Sequence, residues 1–124
     1  MTGMEGLERI EDKASVENIQ ELTREFINKV DPLKIVLFGS FAKGSYTEDS
    51  DYDFYLVVDD DRNIAEATRE AYRASVYLKK RPVDIVVGTN SRFEQKRRAS
   101  YSQMIEREVE QYGILLYEQN RVHM

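Results

Sequence analysis

The chain has 124 residues, 41% hydrophobic and 33% charged, which suits one domain burying about two thirds of its unfolded surface around a single core. It has no cysteine, and its one histidine, His123, is in the C-terminal tail, which argues against disulfides, thiolate zinc sites, thiol nucleophiles and histidine general bases. A net charge of -5 argues against direct nucleic-acid binding; no stretch approaches the ~20 apolar residues of a membrane span, and Met1 to Lys13 is too acidic and polar for a signal peptide, so a soluble protein of the cytoplasm is expected.

In chain order, Met1 to Ala14 reads as a loose segment. Ser15 can cap a helix whose apolar stripe is Val16, Ile19, Leu22, Phe26, Ile27 and Val30, ending at Asp31-Pro32. Ile35 to Phe38 is a short apolar strand that stops at Gly39, with a short helix over Phe41 to Lys43. Tyr52 to Val58 is a second strand, closed by Asp59-Asp60-Asp61. Asn63 to Leu78 predicts a helix with Ile64, Ala67, Ala71 and Leu78 inward, and Val83 to Val87 a third strand. Ser91-Arg-Phe-Glu94 has the form of a capping box opening a long helix to about Gln111, with Phe93, Arg97, Tyr101, Met104, Ile105 and Val109 near one stripe. Gly113 is a natural C-terminal cap, and Ile114 to Tyr117 a last strand. Strands alternating with helices over short connections predict an α/β fold: a small mixed sheet with helices mainly on one face.

The chemistry concentrates in residues 36 to 58. Strand side chains alternate, so Asp51 and Asp53 project to one side with Tyr55 and Val57, while Tyr52, Phe54 and Leu56 face the other. Two like charges side by side cost stability unless a cation lies between them, and hard oxygen ligands favour Mg2+ or Mn2+. The Gly39-Ser40 turn offers close backbone approach, a hydroxyl and exposed N–H donors, which suit a metal-bound phosphate. A Walker A loop is excluded: Gly39 and Gly44 have its spacing, but Ser45-Tyr46 stands where Lys-Ser/Thr belongs. An EF-hand starting at Asp49 is excluded because Phe54 takes its obligatory glycine and Asp60 its closing glutamate. An acidic surface turn is the plain alternative, and the upstream Gly-Ser counts against it. Asp84 is the one charge inside Pro82-Val-Asp-Ile-Val-Val87, costly to bury unless paired, hydrogen-bonded or metal-bound; otherwise it is a strand-end acid accepting backbone N–H groups. The clusters Lys79-Lys80-Arg81 and Lys96-Arg97-Arg98 are solvated faces or attract an acidic partner or a triphosphate.

Gly39-Ser40, ten intervening residues and then Asp51-Tyr52-Asp53 resembles the signature of the polymerase-β-like nucleotidyltransferase superfamily. Gly39-Ser-Phe-Ala-Lys-Gly-Ser45 with Asp49-Ser-Asp-Tyr-Asp53 is similar to its minimal, stand-alone members, and the resemblance covers nearly the whole chain. It implies the nucleotidyltransferase fold, ATP as donor, and two Mg2+ (or Mn2+) ions held by Asp51, Asp53 and Asp84. It also implies Gly39 and Ser40 on the triphosphate, with Lys43 either adding a point charge there or standing as an exposed loop lysine. Asp84 can also accept the proton of the attacking hydroxyl.

Larger members of the superfamily carry a helical domain for which this chain has no room, so the acceptor site is completed by another copy, a partner protein or the acceptor itself. Minimal members are often antitoxins that attach AMP to a tyrosine of a HEPN-type ribonuclease toxin, the acceptor expected here. Transfer to a small hydroxylated molecule such as an aminoglycoside, and a non-catalytic module that neutralises a partner by contact, are the alternatives. Tyr46, Tyr52 and Tyr55 could stack on a base, but core packing explains them as readily.

Overall fold

The computed structural model describes residues 5–97 and 105–119. A four-stranded mixed sheet has the order β3-β2-β1-β4, built from β1 (Lys34–Phe38), β2 (Tyr52–Val58), β3 (Val83–Thr89) and β4 (Ile114–Glu118). The strand β1 runs antiparallel to β2 and β4, and β2 runs parallel to β3. A parallel pair needs a crossover, supplied by helix α3 (Ile64–Ser75).

The predicted alternation of β2 divides two hydrophobic layers. Tyr52, Phe54, Leu56 and Val58 join the larger core with Ile19, Leu22 and Phe26 of α1 (Lys13–Val30), Ala67 and Ala71 of α3, and Phe41 and Ala42 of the short α2 (Gly39–Lys43). Phe26 and Phe54 meet edge to face with centroids 5.0 Å apart, a geometry that suits their ring quadrupoles. Tyr55 and Val57 face the other way, into a smaller layer with Val36, Phe38, Phe93 and Val109. Phe93 belongs to α4 (Asn90–Lys96) and Val109 to α5 (Ile105–Tyr112). The longest helices therefore share one face, and two short ones cover part of the other.

Several expectations are corrected. Residues 5–14 are not loose: Glu5–Arg9 forms a 3-10 turn, and Leu7 and Ile10 are buried in the main core. The cap of α1 is Asp12, whose carboxylate accepts from the backbone N–H and the hydroxyl of Ser15 (3.4 and 2.9 Å), so Ser15 is the donor inside the first turn. Ser91 likewise lies within α4, capped by the Thr89 hydroxyl, while Asp60 accepts from Ser91's N–H and hydroxyl.

The single long helix is corrected as well. Arg97 Nη1 lies 3.0 Å from Glu110 Oε1, whereas thirteen residues of continuous helix would separate them by roughly 20 Å. The segments α4 and α5 therefore lie side by side, tied by that ion pair and by Arg92 to Glu106 (3.3 Å). Tyr101, Met104 and Arg98, like Met1 to Met4 and His123, lie outside the described residues. Among the described residues no helix is long and apolar enough to cross a membrane.

Two side chains fix the connections that lead into the site. Buried Asn18 on α1 donates to the Leu78 carbonyl and accepts from the Lys80 N–H (both 2.9 Å), pinning the turn before β3. Arg81 was expected to be solvated or to attract an anion. It instead donates from Nη1 to the carbonyls of Thr47, Glu48 and Ser50 (2.8, 3.1 and 3.0 Å), with Asp12 3.6 Å from Nη2 and its guanidinium over the Phe41 ring. It staples the loop that delivers Asp51.

Candidate active site

The site lies where β1 ends and β2 and β3 begin. Parallel register sets Asp53 directly beside Asp84, and antiparallel register sets Phe38 beside Asp53. In-register neighbours point to the same face of a sheet, so the Asp53 and Asp84 carboxyl groups share the face of Tyr55, and they lie within hydrogen-bonding reach of each other. Asp51 is the residue just before β2 and adds its charge to the pair.

Electrostatics mark Asp53 as the centre. Partial burial, then the charges of Asp84, Asp51 and Glu108, push its carboxyl up to about 6, from 3.8. Such a cluster stores repulsion that a cation would relieve. Among the described residues no group of three or more acidic or imidazole side chains is arranged to hold a metal as it stands. The fit to a divalent ion is thus chemical, resting on hard oxygens with uncompensated like charge.

Gly39 abuts the pair. Its φ of 75° lies in the left-handed region, and a Cβ there would land on the Asp53 carboxylate, with Cγ 2.8 Å away. Close approach of the turn to the acid thus requires glycine. Ser40 follows in the first turn of α2, half-buried. Lys43, in the last turn, reaches back to Glu108 (Nζ to Oε2, 3.5 Å) and lies 5.5 Å from the centroid of the Tyr112 ring.

Two acids of α5 escape a reading of the sequence. Glu106 is almost fully buried, accepting from the Tyr55 hydroxyl (2.7 Å) and Arg92 Nε (3.3 Å). The Tyr55 and Arg92 bonds hold it ionised despite burial, its carboxyl below the usual range, and they anchor α5 to the sheet. Glu108 accepts from the Gly39 N–H (3.2 Å). Glutamates on a short polar helix ordinarily mark a solvated face, and their partners lie 51 and 69 residues away, so no local signal identified them.

A family model described as nucleotidyltransferase domain matches residues 19–116, a span that includes every candidate residue above. The chain is 43% identical over 51 residues to a protein of Methanocaldococcus jannaschii provisionally named a protein adenylyltransferase. That match covers 41% of this chain and 49% of the relative, so it spans about half the length of the curated relative. Among solved structures, the fold is similar to a chain of a toxin–antitoxin structure with AMP-PNP (TM-score 0.54, 24% identity, 83% of this chain and 73% of the other). It is also similar to a chain of a mutant toxin–antitoxin MntA–HpeT (TM-score 0.52, 26% identity, 83% and 72%).

Proposed function

We propose, because the chain belongs to the nucleotidyltransferase domain family, that it transfers AMP from ATP to a tyrosine hydroxyl of a partner toxin, of HEPN type, in a toxin–antitoxin pair. The pairing of Asp53 with Asp84 across parallel strands, backed by Gly39, carries this reading. The toxin–antitoxin likenesses and the adenylyltransferase name of the archaeal relative support the choice of donor and acceptor.

In this reading Asp51, Asp53 and Asp84 hold two Mg2+ ions. When bound, the ions offset the triphosphate's charge and lower the pKa of the attacking hydroxyl. The chain's own part is placement. The parallel register of β2 and β3 fixes Asp53 against Asp84, and Arg81 fixes the approach to Asp51. Gly39 and Ser40 present N–H and hydroxyl donors to the β and γ phosphates, and Lys43 adds a charge beside them. Asp84, the more exposed of the paired acids, takes the proton in this reading as the tyrosine oxygen attacks the α-phosphorus and pyrophosphate leaves.

Purified protein incubated with α-labelled ATP and Mg2+, with and without the protein encoded beside it, tests this directly. The expected result is label on a tyrosine of that partner. Label on a small hydroxylated acceptor alone would retain the chemistry and overturn the toxin acceptor, whereas no label anywhere with partner binding intact would overturn the transfer.

A further inference from the structure

Glu108 has no part in that chemistry, yet it engages two of the groups that reading assigns to the triphosphate. Its Oε2 accepts from the Gly39 N–H (3.2 Å) and stands 3.5 Å from Lys43 Nζ, so one carboxylate oxygen engages both an amide and a cation assigned to the phosphates. A carboxylate oxygen and a phosphate oxygen make the same charge-assisted bonds to N–H donors and an ammonium. We propose that Glu108 is a built-in competitor for the nucleotide's terminal phosphates and so sets the affinity for the triphosphate donor, an inference that rests on the nucleotide-binding reading above.

The helix cannot easily withdraw to make room. Val109 is buried among Val36, Phe38, Tyr55 and Phe93, and Glu106 is held on either side by Tyr55 and Arg92. The Glu108 side chain is 33% exposed, so it can turn toward solvent while α5 stays in place. Entry of a triphosphate then exchanges one hydrogen bond and one ion pair of the protein for the same two bonds to phosphate. Both are partly solvated, so the competition costs about threefold to tenfold in affinity.

The test is calorimetric titration of the whole chain with AMP-PNP and with AMP in Mg2+, for the parent, Glu108→Gln and Glu108→Ala. Glu108→Ala, which removes both bonds, is expected to bind AMP-PNP about threefold to tenfold more tightly, and Glu108→Gln, which loses the ion pair but keeps an acceptor for the Gly39 N–H, to gain less, with AMP binding unchanged and the KM for ATP lowered at constant kcat. Glu110→Gln removes an equal charge from the same helix, on a residue paired with Arg97, and is expected to match the parent. Unchanged or weaker AMP-PNP binding in the Glu108 variants would overturn the proposal, as would an equal gain for AMP or for Glu110→Gln. Failure of every form, parent included, to bind AMP-PNP would overturn the nucleotide reading itself and the competition with it.

Discussion

Asp53→Asn is expected to lower AMP transfer about a thousandfold or more while making the metal-free protein more stable at pH 8. The two effects have one origin, the acidic charge concentrated at Asp53. Its carboxyl is raised to about 6 in the folded chain, chiefly by burial and then by Asp84, Asp51 and Glu108, against 3.8 for an ordinary aspartate. Between those values the folded state holds a proton that the unfolded state has lost, so stability falls as pH rises from about 4 to about 6 and stays lower above. The full shift corresponds to about 3 kcal/mol; solvent screening of a partly exposed cluster reduces it to about 1–2 kcal/mol. Asparagine carries no charge to repel, so the variant should melt several degrees above its parent at pH 8 and level with it near pH 4. Added Mg2+ should raise the melting temperature of the parent at pH 8 and leave the variant nearly unmoved. Thermal melts across this range with and without Mg2+, beside the transfer assay, decide it, and a variant that melts lower than its parent at pH 8 would refute the electrostatic account.

Gly39→Ala has the second largest expected effect. A side chain at φ 75° costs about 1–2 kcal/mol, and here the added Cβ also meets the Asp53 carboxylate. Relief requires pushing Asp53 away from Asp84 or shifting the turn that carries Ser40, so transfer should fall nearly as far as in Asp53→Asn, with about 2–3 kcal/mol lost in stability. Gly44 supplies the control: its φ is 81°, but its Cβ would meet nothing within 4 Å. Gly44→Ala should therefore show the backbone cost alone, about 1–2 kcal/mol, with transfer retained. Denaturant titration and initial rates separate the outcomes, and parental activity in Gly39→Ala would show that the glycine has no part in placing Asp53.

The features that sequence reading identified share a short range. Alternation along β2 assigns Asp53 and Tyr55 to one face and Tyr52 and Phe54 to the other, because strand periodicity is local. The placement of Asp84 needed only that β3 lie parallel beside β2, in register. What escaped depends on tertiary packing. Leu7 and Ile10 look like scattered apolar residues in a polar leader until the core provides a place for them. Ser91 through Gln111 carries a continuous helical stripe, and nothing in that pattern shows that Arg97 pairs sideways with Glu110. Glu106 and Glu108 acquire meaning only once α5 is laid against the sheet, beside Tyr55 and Gly39.

The central claim is that acids on adjacent strands, closed in by a glycine turn, form a seat for divalent metal and a nucleoside triphosphate. A crystal grown with AMP-PNP and Mn2+ in place of Mg2+ tests it most directly, because manganese is located by its anomalous scattering. The expected map places manganese on the carboxylate oxygens of Asp51 and Asp53, with Asp84 on the same ion or on a second one roughly 4 Å away. Manganese bound elsewhere, or Asp53 and Asp84 turned apart with nucleotide present, would contradict the account.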